Sequence, residues 1–210
     1  MDVVLVGAGG HARVVLDAAR CQGLDVVAAL DERADLHGTE FDGVPIVGDE
    51  SALDGLRARG IGAVILGVGS VDASPTRIAL YERISARGFA LPAVRHPASM
   101  IAASAEIGDA SVVFAGAVVN PHARVGRNVI VNTSAVIEHD CVIADHVHVS
   151  PGALLAGGVR IGRGSHVGIG AVVIQGIRIG SGVMVAAGAV VLRDLPDGAR
   201  VAGVPARSLS

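Results

Sequence analysis

The residues best suited to acid–base chemistry lie close together in the middle of the chain. Glu138, His139 and Asp140 are consecutive, and Asn132 lies a few residues before them. A neutral imidazole can accept a proton from an attacking amine or hydroxyl, and a carboxylate bonded to its second nitrogen fixes the tautomer and stabilises the imidazolium. These residue types indicate a general base at His139 that Asp140 orients. A solvated surface histidine is the alternative, and the residue types alone leave both open.

A six-residue repeat in the second half of the chain must position these side chains. Every sixth residue from Ile101 to Val191 is aliphatic, and the fourth residue beyond each is small or aliphatic. A helix cannot keep such a repeat on one face, whereas hexapeptide repeats are typical of a parallel β-helix. Three hexads, or 18 residues, then complete one triangular turn, so residues 101–196 correspond to about five turns. An ordinary β-sandwich or barrel would have strands and turns of varying length.

Residues 18 apart are stacked neighbours in such a coil, which gives a map of the predicted site. Gly157 lies one turn beyond His139, and His122 lies one turn before Asp140. Because glycine has no side chain, we expect room there for a ligand to approach the imidazole.

The first part of the chain follows a different pattern, in which strand and helix signals alternate. Such alternation predicts a parallel sheet. We therefore expect a small, doubly wound, Rossmann-like α/β domain over residues 1–94, followed by the β-helix and a C-terminal tail over 95–210. The predicted strands are Val3–Val6, Val26–Leu30, Ala63–Val68 and Leu91–Val94, and the predicted helices are His11–Cys21, Ser51–Arg59 and Pro75–Arg87.

A glycine-rich turn follows the first predicted strand. The segment from Gly7 to Ala12 reads Gly-Ala-Gly-Gly-His-Ala, and Asp31 and Glu32 end the second strand. Glycines permit a close backbone approach, a helix N-terminus attracts phosphate, and an acidic residue at this distance can bind a ribose. Taken alone, this pattern indicates an NAD-dependent enzyme, although 94 residues leave room for only one mononucleotide-binding half. A structural turn without a ligand is the third interpretation.

The composition argues against several classes of function. The chain has 17 basic and 20 acidic residues, a net charge of −3 and no basic run, so nucleic-acid binding is not expected. No apolar run reaches the ~18–20 residues of a membrane span, and the first residues lack the basic segment of a signal peptide. Cys21 and Cys141 do not form a disulfide scaffold. We therefore expect a cytoplasmic protein. We expect no metal site, because His146 and His148, predicted on one face of a strand, have no third ligand at a fixed spacing.

Three segments resemble the sugar acetyltransferases related to PglD and NeuD. The first runs from Asn132 through Glu-His139-Asp140 to His148-Val-Ser-Pro-Gly, the second is the N-terminal Val-Gly-Ala-Gly-Gly-His-Ala-Arg-Val-Val, and the third is the Gly-Val-Pro-Ala-Arg segment ending at Arg207. The resemblance covers essentially the whole chain and implies a left-handed β-helix. It makes His139 the catalytic base, Asp140 its orienting acid in place of the glutamate of many relatives, and Asn132 a contact of the sugar.

The resemblance also implies where the two substrates bind. It places the nucleotide sugar on the first domain and acetyl-CoA along the coil, with the 3′-phosphate near Arg193, Arg200 and Arg207. The implied diphosphate contacts are Gly9, Gly10 and His11, the base and ribose contacts are Asp31, Glu32 and Arg33, and the acetyl-CoA contacts are His148, near the thioester, with Gly157, Ile169 and Ala187. The family forms homotrimers with sites between neighbouring coils.

The predicted function is therefore transfer of acetyl from acetyl-CoA to the amine of a nucleotide-linked sugar, such as a UDP- or GDP-4-amino-dideoxyhexose. Neither cysteine lies where a nucleophile is needed, so we expect direct transfer without an acyl-enzyme. Three alternatives stay open at this point: O-acetylation of a sialic-acid-type sugar, a non-catalytic trimeric scaffold, and an NAD-dependent oxidoreductase.

Overall fold

The computed structural model describes residues 1–70 and 75–209, and its first part is a small α/β unit. Its three-stranded parallel sheet places Asp2–Val6 (β1) between Asp25–Leu30 (β2) and Val64–Leu66 (β5), and helices connect the strands along the chain. Short 3₁₀ helices cover Ala34–Leu36 and Glu50–Ala52. The elements in chain order are β1 (Asp2–Val6), α1 (Gly10–Cys21), β2 (Asp25–Leu30), β3 (Glu40–Phe41), β4 (Val44–Pro45), α2 (Leu53–Ala58), β5 (Val64–Leu66) and α3 (Pro75–Ala86).

The rest of the chain forms a triangular solenoid with three parallel sheets, which we call faces 1, 2 and 3 in the order the chain visits them. Face 1 contains Val94–Arg95, Val112–Val113, Ile130–Val131, His148–Val149, His166–Val167, Met184–Val185 and Arg200–Ala202, with Arg207–Ser208 added antiparallel at its end. Face 2 contains Met100–Ile101, Val118–Val119, Val136–Ile137, Leu154–Leu155, Val172–Val173 and Val190–Val191. Face 3 contains Glu106–Ile107, Arg124–Val125, Val142–Ile143, Arg160–Ile161 and Arg178–Ile179.

The strand register confirms the predicted 18-residue turn. Ile130 pairs with His148, which pairs with His166, and the other two faces repeat the same spacing. The prediction of a small parallel-sheet domain followed by a parallel β-helix is therefore confirmed. The solenoid has about six turns rather than five, because strands on face 1 extend it at both ends.

Two details of the first part differ from the sequence prediction. The strand predicted at Leu91–Val94 lies instead at Val94–Arg95, and it pairs with Val112–Val113 of the solenoid rather than with the α/β sheet. The β3–β4 hairpin was not predicted. Both strands have only two residues, which is too short for a periodic signal.

The interior and the corners of the solenoid have different requirements. The inward positions are the aliphatic residues of the repeat, and they form one continuous buried column. Every corner from residue 110 to residue 188 contains a residue with a positive φ, which is glycine in the later turns but Asp140 (φ 59°) and His122 (φ 62°) in earlier ones. Aspartate and histidine tolerate this conformation better than branched residues do.

The α/β unit covers the outward side of face 1. Val112, Phe114 and Ile130 of the solenoid share one buried cluster with Val15 and Leu16 of α1. Among the residues that the structure describes, the buried clusters of this unit include no outward residue of face 2 or face 3. Within the described residues, no helix has the length and hydropathy needed to cross a membrane.

Alternation along one strand gives a direct test of the stacked interior. Ile143 points inward and is buried, whereas its neighbour Val142 points outward and is 36% exposed. We expect Ile143→Ala to lower the free energy of unfolding by about 2–5 kcal/mol through lost transfer energy and a cavity. Val142→Ala should change it by about 0.5 kcal/mol or less. Denaturant unfolding of both variants measures the difference, and equal effects would contradict the assigned register.

Candidate active site

The exposed acid–base pair of the solenoid lies at the corner between faces 2 and 3. His139 Nδ1 is 2.8 Å from Asp140 Oδ2, and both side chains are more than half exposed. A carboxylate can only accept, so Nδ1 carries the hydrogen and the lone pair of Nε2 is left for a substrate. This is the arrangement that a general base requires.

Neighbouring carboxylates tune the basicity of this imidazole. The hydrogen bond to Asp140 raises the pKa of His139, and the charge of Glu138 acts in the same direction. Glu138 also accepts the backbone N–H of His139 at 3.2 Å, a contact that the sequence did not reveal. The left-handed backbone of Asp140 turns its short side chain back toward the preceding residue, so aspartate reaches the ring without the extra methylene of glutamate.

Gly157 lies against the His139 ring, one turn farther along the same corner. A Cβ at position 157 would lie 2.7 Å from both Cε1 and Nε2 of the imidazole. The sequence predicted that this glycine leaves room for a ligand. The structure shows that the ring itself occupies the space, because the imidazole leans toward the next turn.

Asn132 and His148 lie together on another part of the solenoid. The Nδ2 atom of Asn132 is 3.0 Å from His148 Nε2, and His148 Nδ1 is 2.8 Å from the carbonyl of Ser70. His148 is buried beneath the α/β unit, and burial lowers its pKa to about 4, with His166 as a smaller cause. Both of its ring nitrogens are thus used within the chain, and it is neutral at physiological pH.

A cavity of about 240 Å³ opens at the carboxyl ends of the α/β strands. Asp31 is its organising residue: its carboxylate accepts the N–H of Ala8 at 2.8 Å and bonds to the backbone and guanidinium of Arg33. These bonds, those from Arg33 foremost, lower the pKa of Asp31 to about 2. Arg33 also donates to the Ala8 carbonyl at 3.1 Å. The lining includes Gly7, Asp31, Glu32, Arg33, Glu50, Val68 and Arg83.

The predicted diphosphate contacts are absent from the lining that the described residues form. Gly9 and Gly10 are exposed at the start of α1, and the N-cap residue is Gly9, which has no side chain to cap the helix. The His11 ring instead packs edge-on against Phe114 at 5.5 Å. Burial lowers the pKa of His11 to about 3, with the charges of Arg77 and His148 as smaller causes, so this ring is neutral.

The predicted acetyl-CoA contacts do not all meet within one chain. Ile169 and Ala187 are exposed on the corner between faces 1 and 2, whereas Gly157 shares the corner between faces 2 and 3 with His139. One whole face therefore separates the two groups. The arginines predicted near the 3′-phosphate, Arg193, Arg200 and Arg207, are exposed on the last turn, and two of them line a second cavity of about 280 Å³.

One group of potential metal ligands occurs among the described residues. Asp17, Cys21 and His96 place one ligand atom each within 4.8 Å of one another. The Nδ1 atom of His96 accepts the N–H of Ala98 at 2.9 Å, so Nε2 carries the hydrogen in the neutral ring and is not ready to bind a metal.

The prediction that His146 and His148 lie on one face of a strand is wrong. His146 sits at a corner with a positive φ, where its Nδ1 is 2.8 Å from Asn128 and its ring contacts Tyr81. His148 lies on the next strand.

A triangular hexapeptide solenoid with an exposed histidine–carboxylate pair defines the class of the protein as a left-handed β-helix acyltransferase. Residues 2–84 match the PglD N-terminal domain, and residues 122–157 match the model for bacterial transferase hexapeptide (six repeats). A variant of perosamine N-acetyltransferase from Caulobacter crescentus, solved with CoA and GDP-perosamine, is 38% identical with a TM-score of 0.94, over 100% of this chain and 97% of that one. The chain belongs to the PglD/NeuD-like family of sugar acetyltransferases.

Two further solved structures support this assignment. The acetyltransferase domain of PglB from Neisseria gonorrhoeae, in complex with acetyl coenzyme A, is 38% identical with a TM-score of 0.90, over 99% of this chain and 98% of that one. WeeI from Acinetobacter baumannii is 28% identical with a TM-score of 0.87, over the whole of both chains. A comparison with curated proteins found no match. The resemblance inferred from the sequence is thus confirmed.

The carboxylate beside His139 should set the pH dependence of the reaction. A base must be neutral, so kcat/KM should fall as the pH drops through the raised pKa of His139. Asp140→Asn removes the charge yet suits the left-handed backbone. We expect its acidic limb to move to lower pH and its plateau to drop at least about tenfold, part of the 10²–10⁴ that a general base supplies. An unchanged pH–rate profile would show that Asp140 does not act on the base.

Proposed function

We propose that the protein is an acetyl-CoA-dependent N-acetyltransferase acting on the amine of a UDP- or GDP-linked 4-amino-dideoxyhexose. The observation that carries the proposal is the exposed imidazole of His139, which Asp140 holds with Nε2 as the free acceptor. The bound CoA, acetyl-CoA and GDP-perosamine of the related structures support the substrate class.

The geometry supports direct transfer of the acetyl group from acetyl-CoA to the sugar amine in three steps. The sugar amine attacks the thioester carbonyl carbon while Nε2 of His139 takes a proton from the nitrogen. The oxyanion of the tetrahedral intermediate accepts hydrogen bonds from backbone amides. The carbon–sulfur bond then breaks, and the departing CoA sulfur receives the proton from the imidazolium, which the charge of Asp140 has stabilised. The products are an N-acetylated sugar, CoA and the neutral base.

The α/β unit is the proposed site of the nucleotide. The base and ribose would occupy the cavity beside Glu32 and Arg33, with Asp31 acting through the bonds that order Arg33 and the glycine turn. The diphosphate would bind backbone N–H groups of Gly9, Gly10 and His11, since an uncapped helix N-terminus favours anions.

The solenoid is the proposed site of the acceptor sugar and of acetyl-CoA. Asn132 would contact the sugar, with His148 beside the thioester region, and the pantetheine arm would follow Gly157, Ile169 and Ala187. The N-acetylated nucleotide sugar is a donor for glycan assembly. We place this reaction in the cytoplasm, where acetyl-CoA and nucleotide sugars are made.

The outward side of face 2 supports association into a homotrimer. Face 1 is covered by the α/β unit, and face 3 presents mostly charged side chains. Face 2 instead presents an unbroken apolar row, in which Leu154 is 44% exposed and Met100 is 70% exposed. Such a row needs a partner surface. Its members are Met100, Val118, Val136, Leu154, Val172 and Val190.

Packing three such faces around one axis would also complete the site. Face 2 lies between the corner that carries Ile169 and the corner that carries His139. In a threefold arrangement these two kinds of corner meet between neighbouring chains. His139 and Gly157 would then face Asn132, Ile169 and Ala187 of the partner subunit, which reunites the contacts that one chain keeps apart.

Removing the base should remove turnover without unfolding the protein. We expect His139→Ala to lower kcat for a GDP- or UDP-linked amino sugar by about 10²–10⁴. His122 is exposed on the same corner one turn earlier, and His122→Asn suits its positive φ, so this control should keep its rate. Release of CoA and the melting temperature of each variant are the measurements. Turnover within a few-fold of the original in His139→Ala would refute the assigned base.

A charged residue on face 2 should both separate the subunits and abolish the reaction, because the site is shared between subunits. We expect Leu154→Glu to give monomers in light scattering and to abolish turnover, because an unpaired carboxylate cannot be buried at an apolar contact. Arg160→Glu, on the outward side of face 3, should keep both the oligomer and the activity. An active Leu154→Glu monomer would contradict a shared site.

A further inference from the structure

Residues 67–70 begin the connection from β5 to α3, and this part, called loop 67–70 below, joins the nucleotide cavity to the solenoid. It follows β5, and Val68 within it lines the cavity. A Cβ at Gly67 would lie 2.7 Å from Cβ of Ala12 and 2.9 Å from the carbonyl oxygen of Gly7. The loop therefore packs directly on the glycine-rich turn of the α/β unit, in a space that excludes a side chain at Gly67.

Arg77 of α3 forms hydrogen bonds with the backbone at the start of this loop. Its Nη1 donates to the carbonyls of Leu66 and Val68, and its Nη2 donates to the carbonyl of Ala110 in the solenoid at 3.4 Å. Arg77 is only 2% exposed, and among the described residues no carboxylate pairs with it. Burial lowers its pKa to about 9, so it is still a cation at neutral pH. Burying a cation is costly, and here three carbonyls from two parts of the fold accept its hydrogen bonds.

Ser70, in the same loop, fixes the tautomer of His148 through its backbone carbonyl. The buried Ser70 carbonyl can only accept, so His148 Nδ1 carries the hydrogen at the 2.8 Å contact. His148 Nε2 must then accept, and it receives an N–H from the Asn132 amide at 3.0 Å. The Asn132 oxygen accepts the N–H of Thr133 at 2.8 Å, which fixes the amide in one orientation. One N–H of Asn132 is thus used, and the second can donate to a ligand.

We propose that Arg77 is a positioning residue for sugar recognition: it holds loop 67–70 so that Ser70 sets the His148 tautomer, and His148 in turn orients the amide of Asn132. The inference rests on the proposed function, in which Asn132 contacts the sugar. It connects the nucleotide cavity to the sugar contact through one hydrogen-bonded network, whose residues come from separate segments of the sequence. In this network His148 is a neutral hydrogen-bonding group rather than a proton-transfer group.

The tautomer can be read without any activity measurement. Nitrogen NMR of the intact protein labelled with ¹⁵N-histidine distinguishes a protonated Nδ1 from a protonated Nε2, and His148→Gln assigns the signal. We expect His148 to carry its hydrogen on Nδ1, the less common form in water. A protonated Nε2 in the unsubstituted protein would overturn the proposal, whether or not any Arg77 variant folds.

Kinetics then test the part played by Arg77. Arg77→Lys keeps the charge, but its single nitrogen cannot replace both Nη1, which bonds the Leu66 and Val68 carbonyls, and Nη2, which bonds that of Ala110. We expect it to raise KM for the nucleotide sugar about tenfold, the effect of losing one hydrogen bond, with KM for acetyl-CoA within about twofold of the original. Arg163→Lys is the matched control, because Arg163 pairs with Glu82 of α3 at 3.1 Å but on the exposed surface. It should leave both constants within about twofold.

A double substitution separates action through Asn132 from general loosening. In an Asn132→Ala background, Arg77→Lys should cause no further rise in KM for the sugar. Additive effects, or the same rise in Arg163→Lys, would overturn the proposal. If the unsubstituted protein acetylated no nucleotide-linked amino sugar, the proposed function would fail instead, and the NMR result would still decide the His148 link.

Discussion

The stacking of aliphatic side chains inside the prism determines where the other side chains of the solenoid lie. Inward residues pack on their counterparts 18 positions away, as Val131 does between Val113 and Val149, and the spacing is 16 only at the last turn, where Val185 pairs with Val201. A shift of one residue would turn the aliphatic side chains outward and the polar ones inward. The register thereby dictates which residues reach a corner, and it places His139 against Gly157, where the N–H of Gly158 donates to the His139 carbonyl at 2.9 Å.

Burial divides the histidines near the two proposed substrate sites into different chemical roles. His11 and His148 lie between the α/β unit and the solenoid, and desolvation holds their pKa values at about 3 and about 4. His139 is exposed beside a carboxylate, which raises its pKa. The same side chain thus serves as a neutral hydrogen-bonding group in one place and as a proton acceptor in another.

The sequence predicted the repeating features and the contact between adjacent residues, and it missed contacts between distant segments of the chain. Sixteen aliphatic positions without a break are sufficient to define the solenoid and to stack residue 157 on residue 139. The bond from Asp140 to His139 was expected because the two are adjacent. The hydrogen bond that His148 donates to the Ser70 carbonyl joins residues 78 apart. It depends on how the α/β unit packs on face 1, which no local sequence pattern encodes. Arg77 was missed for the same reason, since its partners are backbone carbonyls that have no sequence signature.

A crystal structure with CoA and a GDP-linked amino sugar would show whether His139 is the base and whether two subunits share the site. We expect the sugar nitrogen to lie about 3 Å from Nε2 of His139, the reach that proton transfer requires. We also expect face 2 to contact a second copy of the chain, so that the sugar spans two subunits. A sugar nitrogen beyond hydrogen-bonding reach of His139, or both substrates bound entirely within one chain, would contradict the proposed site.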